Sequence, residues 1–151
     1  MRRSLAVTVS AVLAAGAGAA VVVAQAADGS DDRPSGRQFI GYWLGIDPLD
    51  GGDSRRGITR NDDRTFAMIG RDTVFTLCDD TDRAIVRVDD ARVAASVLVA
   101  DDLTIRCTNT GATVRLKYRF ELIDKDVARE TVTRPNGEPV DQIIFHRLGD
   151  R

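Results

Sequence analysis

The sequence predicts an all-β protein, an antiparallel up-and-down barrel of about 8–10 short strands that follows an N-terminal signal segment. The clearest observation is the segment 114–122, in which apolar and polar residues alternate strictly. Such period-two alternation indicates a strand with one face in a core and the other in water. Turn-forming residues recur at short intervals along the rest of the chain, and no segment shows a convincing helical period.

Residues 1–26 have the features of a secretory signal peptide. The basic start Met1-Arg2-Arg3 precedes an uncharged segment, 4–24, and Ala24-Gln25-Ala26 fits the small-x-small cleavage pattern. Cleavage after Ala26 predicts a secreted or periplasmic protein without a stable membrane span. The alternative is an uncleaved membrane anchor, because the segment 4–24 is about long enough to cross a bilayer.

Residues 27–38 are polar and contain Gly, Ser, Pro and Asp, which predicts a disordered linker before a barrel domain at 39–149. Removing residues 1–26 leaves 19 basic and 23 acidic residues, with the two signs interspersed. This balance argues against nucleic acid as the main partner. No motif in the sequence implies a cofactor.

The two cysteines, Cys78 and Cys107, both follow the predicted cleavage site. In an exported protein such a pair predicts a disulfide. A bond that encloses this length of chain would add about 3–4 kcal/mol of stability in the chain-entropy model. Two buried thiols and a metal site are the alternatives. A single histidine and the absence of Cys-x-x-Cys argue against structural zinc.

Frequent turns divide the barrel domain into short predicted strands. The first covers 39–45, and Pro48 with Gly51-Gly52 ends it. The segment 91–100 also fits a helical face, but its Val97-Leu98-Val99 cluster favours a strand, with Ala95-Ser96 as a candidate hairpin turn. The other predicted strands are 56–60, 65–70, 73–78, 84–88, 103–108, 114–122, 127–133 and 139–148.

Asp47, Asp50 and Asp53 are weak candidates for a Ca²⁺ site, because carboxylates on a Gly-rich turn supply hard oxygen ligands. Their spacing does not match an EF-hand loop, and turn formation by Asp explains them better. The same explanation covers Asp79-Asp80, Asp89-Asp90 and Asp101-Asp102. We therefore expect no metal at these positions.

Catalytic chemistry has little support in the sequence. His146 is the only histidine, and no Gly-x-Ser-x-Gly motif accompanies it. A hydrolase that uses a pair of carboxylates stays open as an alternative. The basic stripe on 115–119 is expected to face water. Arg55 and Arg56 are expected to pair with carboxylates of the neighbouring Asp-rich turn.

Gly41-Tyr42-Trp43 carries a family resemblance. Gly-x-Trp on a first strand resembles the opening motif of lipocalins and the wider calycin barrels, and the domain resembles small exported bacterial barrels of that type. The resemblance implies that Trp43 closes one barrel end and that Arg147, near the last strand, packs over its ring. Such a contact contributes around 1 kcal/mol. The family's later Thr-Asp-Tyr motif has only Thr81-Asp82-Arg83 as a counterpart, and its C-terminal helix is not indicated.

These observations predict an exported, non-catalytic barrel that binds a small apolar ligand or an envelope protein. A barrel of eight strands either encloses a ligand or is filled by its own side chains. The alternatives are the carboxylate hydrolase and a structural or inhibitory envelope module. The barrel interior and the acids near His146 and Arg147 distinguish among them.

Overall fold

The computed structural model describes residues 36–78 and 83–149. These residues lie in the second of the two units into which the chain divides, Met1–Ser30 and Asp31–Arg151. The predicted signal peptide, its cleavage site, the linker up to residue 35 and the predicted turn at 79–82 fall outside the described residues.

Eight strands form one closed barrel in which every neighbouring pair is antiparallel. Each strand pairs with the next along the chain, and β1 pairs with β8 to close the barrel. The predicted all-β, antiparallel up-and-down barrel is confirmed. The strands are β1 (Gly41–Ile46), β2 (Asp53–Arg60), β3 (Phe66–Asp72), β4 (Ala84–Ala94), β5 (Val97–Cys107), β6 (Thr113–Asp124), β7 (Val127–Thr133) and β8 (Pro139–Arg147).

Side chains at alternate positions fill the barrel. On β6 the residues predicted to face inward are buried at Leu116, Tyr118 and Phe120, and the basic stripe between them is exposed. The interior of an eight-stranded barrel is just wide enough for side chains to fill it. The largest fully buried side chains are Trp43, Phe39, Phe66, Phe120, Phe145, Ile58, Met68, Leu98, Leu103, Ile105, Leu116 and Ile143.

Two Asp-Asp pairs lie inside long strands instead of between short ones. Asp89-Asp90 fall in β4 where its register with β3 shifts, and Asp101-Asp102 fall in β5 where its register with β6 shifts. At each bulge the strand carries one residue more than its partner, which bends the strand and exposes the extra residue. The helical alternative for 91–100 is wrong, since β4 and β5 meet at the predicted Ala95-Ser96 turn.

The segment 73–78 was predicted as a strand and is instead a loop that ends in a 3₁₀ helix, Thr76–Cys78. Phe75 and Cys78 are both buried, and Cys78 N donates to Phe75 O at 2.7 Å. Two buried residues three positions apart suit a 3₁₀ turn and not a strand. The other helix in the described part of the chain is the 3₁₀ turn Arg37–Phe39, and neither is long and apolar enough to cross a membrane.

The predicted disulfide is confirmed. Cys78 and Cys107 are bonded, with their Cα atoms 5.5 Å apart and a sequence separation of 29. The bond joins the loop after β3 to the end of β5. A disulfide is typical of proteins that fold in an oxidising compartment.

The two ends of the barrel differ in how the chain closes them. Residues 36–40, the start of β1 and the end of β8 lie at one end, which we call the Trp43 end. The loops 47–52, 108–112 and 134–138 and the segment 73–78 lie at the other, which we call the Asp47 end. Gly36, Arg37 and Gln38 belong to the folded part, whereas the sequence placed them in a linker.

Candidate functional site

Trp43 lies fully buried at the barrel end that carries its name. Its Nε1 donates to the Phe39 carbonyl at 3.0 Å, and its ring packs edge-on against Phe120 with the centroids 5.2 Å apart. The guanidinium of Arg147 lies over the indole, with Cζ 4.1 Å from the ring centroid. β1 and β8 place the two residues directly opposite each other in the closing ladder.

Arg147 also holds the chain that precedes β1. Its Nη1 donates to the Ile40 carbonyl at 2.6 Å, its Nη2 donates to the Gln38 carbonyl, and its Nε donates to Asp126 at 3.1 Å. These bonds fix the 36–40 segment across the Trp43 end. Arg147 and Trp43 therefore have a structural role at this end of the barrel.

The aspartates of the loop 47–53 form turn hydrogen bonds. Asp47 accepts from Leu49 N at 2.7 Å, and Asp50 accepts from Gly52 N at 2.6 Å, which are local Asx-type contacts. Asp53 lies within 3.5 Å of the Arg55 guanidinium. Among the residues that the structure describes, no group of three or more Asp, Glu, His or Cys is arranged to hold a metal ion.

His146 is exposed on β8, where it pairs with Leu44 and Val127 in the two adjacent ladders. The cleft beside Trp43 is lined by Tyr42, Trp43, Arg55, Arg56, Leu148 and Gly149. This lining contains no carboxylate. The acid pair that a carboxylate hydrolase requires is therefore not part of this cleft.

Arg56 is the main surprise of the structure, because it lies inside the barrel and is 2% exposed. Its Nε and Nη2 donate to Glu130 at 2.8 and 2.7 Å, and its Nη1 and Nη2 donate to Asp72 at 2.6 and 3.3 Å. A further bond from Nη1 to the Arg55 carbonyl uses the fifth N–H. The expectation that Arg56 pairs with the Asp-rich turn is wrong, whereas Arg55 does lie near Asp53.

The position of the buried Arg56 guanidinium depends on the residues that surround it, Gly70 and Phe145. A Cβ at Gly70, the residue opposite Arg56 on β3, would come within 2.7 Å of the Arg56 Cδ and 2.9 Å of its Nη1. On another side the guanidinium lies 5.1 Å from the centroid of the Phe145 ring. Burial alone would lower the pKa of Arg56, but the charges of Glu130 and Asp72 outweigh that effect and raise it.

Two polar atoms near this network lack a hydrogen-bond partner among the described residues, Tyr118 Oη and Asp141 Oδ1. Burial raises the pKa of Tyr118, and the charge of Glu130 raises it further. Burial also raises the pKa of Asp141 to about 6, with added repulsion from Asp47 and Glu130. The single positive charge of Arg56 therefore does not balance the negative charges of the carboxylates in the interior.

The outer wall of β1, β2 and β3 carries an apolar cleft of about 590 Å³, which we call the outer cleft. Tyr42, Gly57 and Ile69 lie side by side there in adjacent ladders. Tyr42 is 54% exposed and Ile69 is 60% exposed, and the Tyr42 ring lies over Gly57, which has no side chain of its own. The residues that line the cleft are Ile40, Gly41, Tyr42, Arg55, Arg56, Gly57, Ile58, Thr59, Ala67, Ile69, Gly70 and Arg71.

The outer cleft and the Arg56 network were not predicted. The cleft requires the register of three strands, which places an exposed aromatic beside a glycine and an isoleucine from distant parts of the chain. A signal for Arg56 did exist. Ser54, Arg56 and Ile58 alternate with Arg55, Gly57 and Thr59, so extending the strand from Ile58 places Arg56 on the inner face.

Comparisons with known proteins returned no match to a family model, to a curated protein or to a solved structure. The topology and the sites therefore define the class of protein. It is a closed eight-stranded antiparallel barrel, consistent with a lipocalin-like fold, with large side chains buried in its interior and a cleft on its outer wall.

Proposed function

We propose that this protein is an exported, non-catalytic binding protein that engages a protein partner through the outer cleft. The observation that carries the proposal is the pairing of Tyr42 and Ile69, both more than half exposed, on either side of Gly57. The barrel interior, where a lipocalin-like carrier would hold its ligand, is occupied by large side chains.

The shape and composition of the cleft favour a protein over a small apolar ligand. Sites for small molecules enclose most of the ligand surface, whereas the outer cleft lies on the convex wall of a barrel. Exposed tyrosine beside arginine is the composition enriched at protein interfaces, and such residues often dominate the binding energy. Arg55 and Arg71 both line the cleft, so we expect an apolar segment flanked by acidic residues.

Export is supported by two independent observations. The sequence begins with the features of a cleavable signal peptide. The disulfide between Cys78 and Cys107 is of the kind that persists outside the reducing cytosol. A protein of the cell envelope or of the medium is therefore the partner that this barrel would meet.

Site-specific photocrosslinking tests the proposal in the producing cells. A photoreactive amino acid at Ile69 is compared with the same amino acid at Ile123, an isoleucine on β6 that is 50% exposed. We expect one reproducible adduct from position 69 and none from position 123. The captured protein is then purified, and its affinity for the mature barrel is measured by calorimetry.

Two surface variants decide whether the captured protein is a specific partner. Tyr42→Ala and Ile69→Ser are each expected to weaken the purified complex by about tenfold or more, as loss of an interface anchor does. Ile123→Ser should leave the affinity unchanged. Equal adducts at both positions would overturn the proposal, as would a small molecule that native mass spectrometry finds bound to wild type and to Tyr42→Ala alike.

A further inference from the structure

Three arginines surround a small hollow on the outer wall near the Asp47 end. Arg55 lies on β2, Arg71 lies on β3, and Arg83 immediately precedes β4. The hollow has a volume of about 130 Å³, and Asp53 and Thr73 complete its lining. We call it the arginine hollow.

The register places two of these charges in direct opposition. Arg55 and Arg71 are cross-strand partners, and both are exposed on the outer face. Like charges directly opposite each other destabilise a sheet. The repulsion between Arg55 and Arg71 therefore destabilises the folded state. The fold does not require it, because exposed positions on a strand accept many neutral residues.

Asp53 is the one carboxylate among the described residues that line the hollow. Asp53 lies 3.5 Å from Arg55, and within the part of the chain that the structure describes Arg71 and Arg83 have no carboxylate within ion-pair distance. Some exposed arginines elsewhere do have one, whereas others, such as Arg60 and Arg106, have none among the described residues. Arg87 lies 2.7 Å from Asp89, and Arg115 lies 3.5 Å from Asp102. Among the residues that the structure describes, three guanidinium groups and one carboxylate line the hollow, in a chain whose net charge is −2.

We propose that the arginine hollow binds an oxyanion group, namely phosphate, sulfate or carboxylate. Guanidinium groups present paired N–H donors that match the oxygens of such anions. The volume of the hollow suits a single small group and not a whole ligand. The site goes beyond the proposed protein-binding function, although Arg55 and Arg71 line both the hollow and the outer cleft.

Titration of the mature protein with sodium phosphate tests this site. The Nε–Hε signals of the arginines are followed by NMR at low ionic strength, and sodium chloride at matched ionic strength is the control for screening. We expect saturable shifts of Arg55, Arg71 and Arg83 with phosphate and none of comparable size with chloride. Acetate and methyl phosphate in parallel titrations tell whether the group is a carboxylate or a phosphate ester.

Four variants make the outcome decisive. Arg71→Gln and Arg83→Gln should each weaken phosphate binding by about tenfold, as loss of a charge-assisted contact does, and Arg115→Gln should not. Tyr42→Ala should leave phosphate binding intact, so failure of the outer cleft and failure of the hollow are distinguishable. Shifts that chloride reproduces, or that persist in both Arg71→Gln and Arg83→Gln, would overturn the proposal.

Discussion

Arg56 is held inside the barrel by two carboxylates, and the space that its side chain occupies exists because residue 70 has no Cβ. A Cβ at that position would lie 2.5 Å from the Arg55 carbonyl oxygen and 2.7 Å from the Arg56 Cδ. Carbonyl oxygens of a ladder cannot move aside without loss of sheet hydrogen bonds. Gly70 and Arg56 therefore form one structural unit with Asp72 and Glu130.

Gly70→Ala is expected to destabilise the protein by about 3 kcal/mol, because it displaces a buried charge from its partners. Urea unfolding followed by Trp43 fluorescence measures the change. Gly57→Ala on β2 is the matched control, since a Cβ there meets the Tyr42 ring at 3.4 Å, an ordinary contact. Equal stability of the two variants would show that the barrel wall adapts around Arg56.

Asp141 gives the interior a dependence on pH. Its pKa is raised to about 6 from 3.8, by burial and then by the charges of Asp47, Glu130 and Asp72. The folded state therefore holds this proton more tightly than the unfolded chain. The stabilising contribution of neutral Asp141 is complete below about pH 4 and is lost as the pH rises through about 6.

Asp141→Asn is therefore expected to raise the Tm at pH 7.5 and to leave it nearly unchanged at pH 4. Asparagine keeps the shape but carries no charge at either pH. Thermal unfolding by circular dichroism at the two pH values measures the difference, and Asp62→Asn in an exposed turn is the control. A gain of the same size at both pH values would contradict the role of ionisation.

At the scale of elements, the segment 36–40 behaves as a strap across the Trp43 end. It has no strand ladder of its own, and Arg147 supplies two of its hydrogen bonds together with the contact to the Trp43 ring. Gly36 is buried with φ of +66° beside Phe66, so the strap also fits the core closely.

Arg147→Gln should loosen this strap and lower the free energy of unfolding by about 2 kcal/mol, the sum of a cation–π contact and charged hydrogen bonds. Faster hydrogen exchange of Phe39 N and Ile40 N and a red-shifted Trp43 emission should accompany the loss. Arg115→Gln, at an exposed ion pair, should cost no more than about 0.5 kcal/mol. Unchanged exchange at residues 39–40 in Arg147→Gln would argue that the core alone holds the strap.

The alternation of apolar and polar residues predicted the strands whose side chains are alternately buried and exposed. It failed where a contact with a distant part of the chain determines the local structure. β6 was predicted well because one of its faces lies in water and the other in the core. The loop 73–78 was missed because Phe75 and Cys78 turn inward three residues apart, under the disulfide. The Asp-Asp pairs were expected in turns, since a bulge depends on the partner strand. Arg56 was expected outside because its partners Asp72 and Glu130 are distant in sequence.

For the whole molecule, the closure between β1 and β8 is the shortest ladder of the barrel. It comprises three register pairs, whereas β5 and β6 share eight. Fewer ladder bonds cost less to open, so this seam is where sub-global opening should begin. The strap and Arg147 lie beside the seam and reinforce it.

Native-state hydrogen exchange should therefore show lower protection for the ladder amides of Leu44 and His146 than for those of Ile105 and Leu116. The expected order follows from ladder length and not from burial of single residues. NMR exchange under mild denaturant gives the free energy of each opening. Equal values at the seam and at β5–β6 would mean that the barrel opens only as a whole.

The order of pairing in this barrel is cyclic, because each strand contacts the next and the last contacts the first. Residues 40 and 147 touch at one end, so the chain resembles a ring that is cut at a single point. The chain termini can therefore be moved to another exposed turn of the barrel. A circular permutant that joins Gly149 to Gly36 through a short linker and opens at Asn136, in an exposed turn, should keep all eight ladders and fold to the same barrel.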